Sequence, residues 1–261
     1  MNNPLFSKII SKKEFSDLPR ADVESAMKRF EGENYIDEER VKLTRDLLRK
    51  VFSVFTSQKL LSPGIIDKKN VDEVLKKHLS TKERFEFYGE IYSRLLKSFE
   101  KDLTIFDLGA GINGLSYEKM KKVIDGNLNY VAVESVGQLV KLMNYYFKTR
   151  GIESAGAIQK SLFDLEGIKK ILKSVDGKKI VFLFKVLDSL EMMERNYSKK
   201  ILEEIVPLGD RVVISFATRS LVSRKKFVVN RSWILDFVGE KFKITDDFEI
   251  GAERYVVFEK Q

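Results

Sequence analysis

The chain has 261 residues, with 47 Lys plus Arg against 39 Asp plus Glu, a formal net charge of +8, one histidine and no cysteine. Without cysteine there can be no disulfide, thiolate metal site or cysteine nucleophile, and one histidine cannot build a His-rich metal centre, so no metal is expected. The length suits one large domain or a core domain with a helical extension, and the positive balance favours a polyanionic partner.

The N-terminal stretch MNNPLFSKIISKKEF lacks the long apolar run of a secretion signal. No segment approaches the roughly 20 apolar residues of a membrane span, so a cytoplasmic protein is expected. From Pro19 to about Phe99 apolar residues recur three and four apart, as at Val41, Leu47, Leu48, Val51, Phe52 and Phe55, which predicts helices throughout. The SPG at Ser62 to Gly64 breaks that pattern, and Asp72 or a neighbour is expected to restart it. Ser80 and Glu83 have capping-box spacing, ahead of a helix whose apolar face is Phe85, Tyr88, Tyr92, Leu95 and Phe99.

After Thr104 short apolar runs alternate with helical stretches: TIFDLG, NYVAVES, GAIQKSLFD, KIVFLFKVL and DRVVISFA. Such alternation predicts parallel strands joined by crossover helices, a doubly wound α/β sheet. The last runs, KFKITDDFEIG and ERYVVFEK, leave room only for a turn at Gly251 and Ala252, so the sheet should close in an antiparallel hairpin. The expected organisation is a helical region over residues 1–100 and a nucleotide-binding domain over residues 101–261.

The stretch IFDLGAGINGL places Gly109, Gly111 and Gly114 in GxGxxG spacing after a strand, and Glu134 ends the next strand, where an acid can accept hydrogen bonds from a ribose. NAD enzymes and methyltransferases share these features. Asp107 separates them: its carboxylate would repel a pyrophosphate above the loop but favours the ammonium and sulfonium of S-adenosylmethionine. The closing hairpin points the same way, to a Rossmann-like class I fold that uses S-adenosylmethionine as cofactor. Phe163 and Asp164, after the third strand, would then flank the adenine, with Asp164 accepting from its amino group. Methylation of a pyrimidine C5 usually needs a cysteine, and the fourth strand is followed by FKVLDSLE rather than an Asn-Pro-Pro-Tyr type of motif. A ring nitrogen such as guanine N7 needs only alignment with the methyl group.

The segments HLSTKER (His78 to Arg84), DLGAGINGL (Asp107 to Leu115), LFKVLDSLE (Leu183 to Glu191) and SFATRSL (Ser215 to Leu221) together resemble the 16S rRNA guanine-N7 methyltransferases of the aminoglycoside-resistance type. The resemblance runs from about His78 to the C-terminus and implies a helical N-terminal region that docks on the small ribosomal subunit. It implies that Arg84 holds the cofactor carboxylate, with His78, Ser80 and Thr81 shaping that entrance. Gly109, Ala110 and Gly111 would line the methionine part beside Asp107, Glu134 and Ser135 the ribose, and Phe163 and Asp164 the adenine. Lys185, Ser215 and Arg219 would border the reacting base, with Lys185 also touching the cofactor. Ala110, Asn113-Gly114, Ala217 and Arg219 depart from the family's usual residues, which leaves the target nucleotide open.

Just past the fifth strand Arg219, Arg224, Lys225, Lys226 and Arg231 cluster with Phe227 and Trp233, a mixture suited to RNA phosphates and bases. Lys12, Lys13, Arg45, Arg49 and Lys50 extend the candidate footprint over the helical region. The expected activity is transfer of a methyl group to guanine N7 of small-subunit rRNA by a monomer. A methyltransferase acting on tRNA or a small molecule, and a non-catalytic RNA-binding protein of the same fold, are the alternatives.

Overall fold

A computed structural model describes residues 4–32, 35–53, 63–96, 98–99, 102–219 and 231–261. The first part is helical: α1 (Pro4–Ile10), α2 (Arg20–Lys28) and α3 (Asp37–Leu48), which runs into a π-turn at Arg49–Ser53, then α4 (Ile65–Lys68), α5 (Val71–Leu75), α6 (Leu79–Arg84) and α7 (Tyr88–Leu96). Val41, Leu47, Leu48 and Val51 are buried as their spacing predicts, whereas Phe55 lies outside the described residues.

The restart near Asp72 falls at its neighbour Asn70, which caps α5, its side chain accepting from the Asp72 amide at 3.0 Å. One boundary differs from the sequence expectation. The Ser80 and Glu83 capping box does not form, because the helix starts two residues earlier, at His78 as N-cap. Ser80 instead accepts a hydrogen bond from Arg84, and Glu83 pairs with Lys185. A guanidinium one turn along the helix takes the Ser80 hydroxyl, and a distant lysine takes the Glu83 carboxylate, so neither is left to cap.

The second part is a seven-stranded sheet of order β3-β2-β1-β4-β5-β7-β6, with β1 (Leu103–Leu108), β2 (Leu128–Glu134), β3 (Ala155–Gln159), β4 (Lys178–Phe184), β5 (Arg211–Ala217), β6 (Phe242–Ile250) and β7 (Glu253–Lys260). The first five strands pair in parallel and β7 runs antiparallel to both β5 and β6, so the expected closing hairpin is present. Every residue of the central β1 is buried, as a parallel strand covered on both faces requires. The crossovers contain α8 (Tyr117–Lys121), α9 (Gly137–Thr149), α10 (Leu165–Lys173), α11 (Leu187–Met193) and α12 (Tyr197–Ile205), and α13 (Ser232–Lys241) precedes the hairpin.

Two apolar clusters lie on opposite faces of the sheet. One joins Leu5, Phe15 and Val23 of the helical part to Ile105, Val136 and Leu139, so the helices share a core with one face of the sheet. The other face is covered by α10 to α13 through residues such as Ile168, Leu187, Ile201 and Ile234. Polar ties reinforce the first contact: Tyr145 donates to Asp67, and Lys141 pairs with Asp17 at 3.3 Å. This attachment carries α2 to the carboxyl end of the sheet, where strand order reverses between β1 and β4 and ligands of open α/β folds bind.

Candidate functional site

A cleft of about 840 Å³, part of it open to solvent, lies at that switch point. Its floor is the glycine loop after β1. Gly109 and Gly111 adopt φ of +74° and +57°, conformations that side chains tolerate poorly. A Cβ on Gly109 would sit 2.6 Å from Val186, and one on Gly111 3.0 Å from the His78 ring. The third glycine, Gly114, serves packing, since a Cβ there would meet Phe147, Met143 and Tyr130 at 2.9–3.0 Å. The loop is pinned by Glu134, whose Oε2 accepts from the Gly111 amide at 2.8 Å while Oε1 accepts from the Val136 amide at 2.9 Å.

Three buried carboxylates line the cleft. Asp107 accepts from Asn113 Nδ2 at 2.8 Å and from the Tyr130 hydroxyl at 2.6 Å, both on Oδ2. Burial raises the pKa of Asp107 above its ordinary value, against the pull of those two donors. Glu134 is raised for the same reason, against its backbone donors. The third is Asp22, reaching in from α2, 1% exposed, with Oδ1 accepting from Ser161 Oγ at 2.9 Å. Burial pushes Asp22 up to about 7, with the Ser161 and Ser135 hydroxyls opposing. Carboxylates held in this way favour a cationic or hydrogen-bond-donating ligand, which would lower their pKa again.

Opposite them is a buried ion-pair network. Arg84 Nε donates to both Glu253 oxygens at 3.2 and 3.0 Å, Nη1 to Asn113 at 3.1 Å, and Nη2 to Ser80. Burial alone would lower the Arg84 pKa, but the Glu253 carboxylate reverses this and keeps the guanidinium charged. Lys185 Nζ pairs with Glu253 at 3.1 Å and with Glu83. Burial would raise Glu253, yet the Arg84 and Lys185 cations hold it below the ordinary carboxylate range. His78 sits beside both cations, and burial together with their charge pushes it down to about 3, so the imidazole is neutral.

The structure brings together, around the cleft, His78, Ser80, Arg84, Asp107, Gly109, Ala110, Gly111, Glu134, Ser135, Phe163 and Lys185. Thr81 and Asp164 do not line it. Thr81 is buried and donates to the carbonyls of Leu75 and His78, a local structural bond. Asp164 caps α10 by accepting from the Gly167 amide at 3.0 Å and pairs with Lys160, its side chain 42% exposed. Ser215 is fully buried, donating to Glu253 while its Oγ accepts from the Lys185 amide at 3.1 Å, so it positions the network and cannot touch a base. Arg219 is exposed and outside the cleft lining.

Of the basic cluster, Arg224, Lys225 and Lys226 lie outside the described residues, as does Phe227. Arg231 is a structural anchor rather than a free phosphate contact: it pairs with Asp188 at 2.8 Å, donates to the Ala217 carbonyl at 3.0 Å and lies over the Phe216 ring. Trp233 packs against the second core. In the helical region Arg45 donates to the carbonyls of Lys8 and Ile9, and Arg49 pairs with Glu14 and Asp46, whereas Lys12, Lys13 and Lys50 are exposed.

Sequence reading missed Glu253, Asn113 and Asp22. Asn113 is the hub between the two halves of the cleft: its amide donates to Asp107 while its oxygen accepts from Arg84, Tyr88 at 2.9 Å and Tyr92 at 3.3 Å. A polar residue between two glycines of the loop was the available signal.

Strand order, glycine loop and the acids ending β1 and β2 define a class I methyltransferase fold, and an acid-lined cleft beside a buried arginine fits the zwitterionic and sulfonium charges of S-adenosylmethionine. The model of the family described as ribosomal RNA methyltransferase (FmrO) matches residues 62–236, and the chain belongs to that family. No curated protein sequence matches the chain. Among solved structures it is similar to the 16S rRNA methyltransferase RmtF in complex with S-adenosyl-L-homocysteine, with 18% identity, 100% of each chain covered and a TM-score of 0.76. It is also similar to the 16S rRNA methylase RmtB, with 17% identity over 100% of this chain and 99% of the other and a TM-score of 0.75. An rRNA methylase from Escherichia coli gives 17% identity, 98% coverage of both chains and a TM-score of 0.75.

Proposed function

We propose that this member of the rRNA methyltransferase family transfers a methyl group from S-adenosylmethionine to N7 of a guanine in small-subunit rRNA. The observation that carries the reading is the cleft in which Asp107 and Glu134 face the Arg84 network across the glycine loop. When bound, S-adenosylmethionine supplies an electrophilic methyl group on a sulfonium. The chain's residues bind and orient it. Arg84 has three of its five N–H groups committed to Glu253, Asn113 and Ser80, leaving donors for the cofactor carboxylate. Asp107 carries both of its hydrogen bonds on Oδ2, so Oδ1 is the oxygen to receive an ammonium. Each Glu134 oxygen has one backbone donor and a lone pair to spare for a ribose hydroxyl.

Guanine N7 is the acceptor that this machinery suits. It presents an in-plane lone pair and no proton, so no general base is required. The cleft provides none in the histidine, whose pKa near 3 reflects a buried ring beside two cations. Rate would come from alignment and from fixed charges in a partly enclosed cleft. The RNA partner is supported by the family and by the net charge of +8. The helical region up to residue 100, with Lys12, Lys13 and Lys50 exposed, is the surface assigned to docking on the ribosomal subunit. Among the described residues no helix is long and apolar enough to cross a membrane.

The test is transfer of labelled methyl from S-adenosylmethionine to intact small subunits, to deproteinised rRNA and to bulk tRNA, followed by mapping of the modified base. Label on a guanine N7 of subunit rRNA is the expected result. Label on tRNA alone, or at another atom, overturns the acceptor assignment.

A further inference from the structure

The adenine end of the cleft lacks the carboxylate that the sequence assigns to it. Asp164 is spent as the cap of α10 and as the partner of Lys160, and its side chain does not face the cleft lining. A different carboxylate occupies that end. Asp22, in the first turn of α2, lines the cleft together with Ser135, Leu162 and Phe163. A short relay fixes it: the Phe163 amide donates to Ser161 Oγ at 3.0 Å, and Ser161 Oγ donates to Asp22 Oδ1 at 2.9 Å. The second oxygen, Oδ2, is buried and accepts no hydrogen bond among the described residues; the nearby Ser135 hydroxyl donates instead to the Lys160 carbonyl, at 3.4 Å. A buried carboxylate oxygen without a donor is costly and uncommon in folded proteins, and a ligand donor removes the cost.

We propose that Asp22 accepts the hydrogen bond of the adenine 6-amino group of S-adenosylmethionine, so that the N-terminal helical region completes the cofactor site. The inference rests on S-adenosylmethionine being the methyl donor. It makes α2 part of the binding site as well as of the fold, since cofactor affinity then depends on α2 staying docked at the ends of β2 and β3.

Calorimetry at pH 8 with S-adenosylhomocysteine, and with its 6-oxo analogue S-inosylhomocysteine, tests this on the full chain. The wild type should prefer the 6-amino ligand by about ten- to a hundredfold, the range of one hydrogen bond to a charged acceptor. Asp22→Asn should weaken S-adenosylhomocysteine by a similar factor and lose the preference, because its amide can donate to the 6-oxo group. Asp164→Asn should bind both ligands as the wild type does, and ligand-free Asp22→Asn should melt no lower than the wild type. Equal affinity of the wild type for the two ligands, a loss in Asp22→Asn that falls equally on both, or a loss carried by Asp164→Asn would each overturn the assignment. Absence of wild-type binding to either ligand would instead overturn the methyl-donor reading itself.

Discussion

Glu253→Gln removes one negative charge from the centre of the buried network and leaves its shape nearly unchanged. Glu253 is 2% exposed and holds Arg84 at 3.0 Å and Lys185 at 3.1 Å, with the Ser215 hydroxyl donating as well. After the substitution Arg84 keeps only neutral acceptors, and Lys185 keeps Glu83, whose side chain is 22% exposed. Leaving a buried cation without its partner costs about 3–5 kcal/mol. At about 2–4 °C per kcal/mol for a chain of this size, thermal melting should fall by about 6–20 °C. The pH dependence gives an independent check. Glu253 titrates below its ordinary value, so its contribution is present above about pH 4.5 and is lost as pH falls through the lower folded value. The gap between wild type and variant should therefore close in acid. A carboxylate ligand should also rescue the variant, so S-adenosylhomocysteine should raise its melting temperature more than that of the wild type. A loss under about 1 kcal/mol at pH 7, measured by urea unfolding, would refute the view that Glu253 balances the network.

Asp22→Asn should alter stability with the opposite pH sign. The Asp22 carboxyl ionises near 7 in the fold and near 3.8 in the unfolded chain, so the stability it contributes is complete below about 3.8 and is lost as pH rises towards 7. At about 1.36 kcal/mol per pH unit, ligand-free Asp22→Asn should match the wild type near pH 4 and exceed it by on the order of 4 kcal/mol above pH 7; parallel unfolding curves across that range would contradict the burial argument. Gly111→Ala places a Cβ at φ +57° and 3.0 Å from His78, so it should cost about 1–2 kcal/mol and weaken S-adenosylhomocysteine binding, and unchanged calorimetry and melting would show that the loop yields freely. Arg231→Ala should lower the melting temperature, because it removes the bonds to Asp188 and the Ala217 carbonyl. Exposed Arg219→Ala should leave melting unchanged and reduce the salt slope of rRNA binding by about 1. The reverse pattern in filter binding and melting would exchange their roles.

The alternation of apolar runs was enough to predict the parallel strands and the antiparallel closure, because each strand between two helical layers must be apolar along its length. The glycine loop was legible for a related reason: Gly109 and Gly111 take conformations that few other residues adopt. Glu253 was not legible, since it reads as an ordinary strand residue after a turn and meets Arg84, 169 positions away, only because β7 inserts between β5 and β6. Asp22 reads as a solvated acid at a helix start, and only the docking of α2 onto the ends of β2 and β3 buries it. Ser80 and Glu83 show the converse case, in which a local capping signal is present but Arg84, one turn on, takes the Ser80 hydroxyl and the distant Lys185 takes Glu83.

The network around Arg84 is better explained by positioning than by stability. A buried ion pair is often no more stabilising than apolar packing of the same volume, because desolvation offsets the attraction. Here two cations, Arg84 and Lys185, meet two acids, Glu253 and Glu83, so the cluster is balanced before any ligand arrives. Lys185 also holds a left-handed backbone, φ +59°, which costs a non-glycine residue about 1 kcal/mol or more. Its amide donates to the Ser215 carbonyl and hydroxyl, both at 3.1 Å, and its ammonium reaches Glu253. The same Ser215 hydroxyl donates to Glu253, which in turn orients Arg84. The strained end of β4 and the guanidinium are thereby fixed by one carboxylate. Methyl transfer from a bound sulfonium gains rate from alignment, and a charge-balanced scaffold fixes a cation in place without neutralising its unused donors.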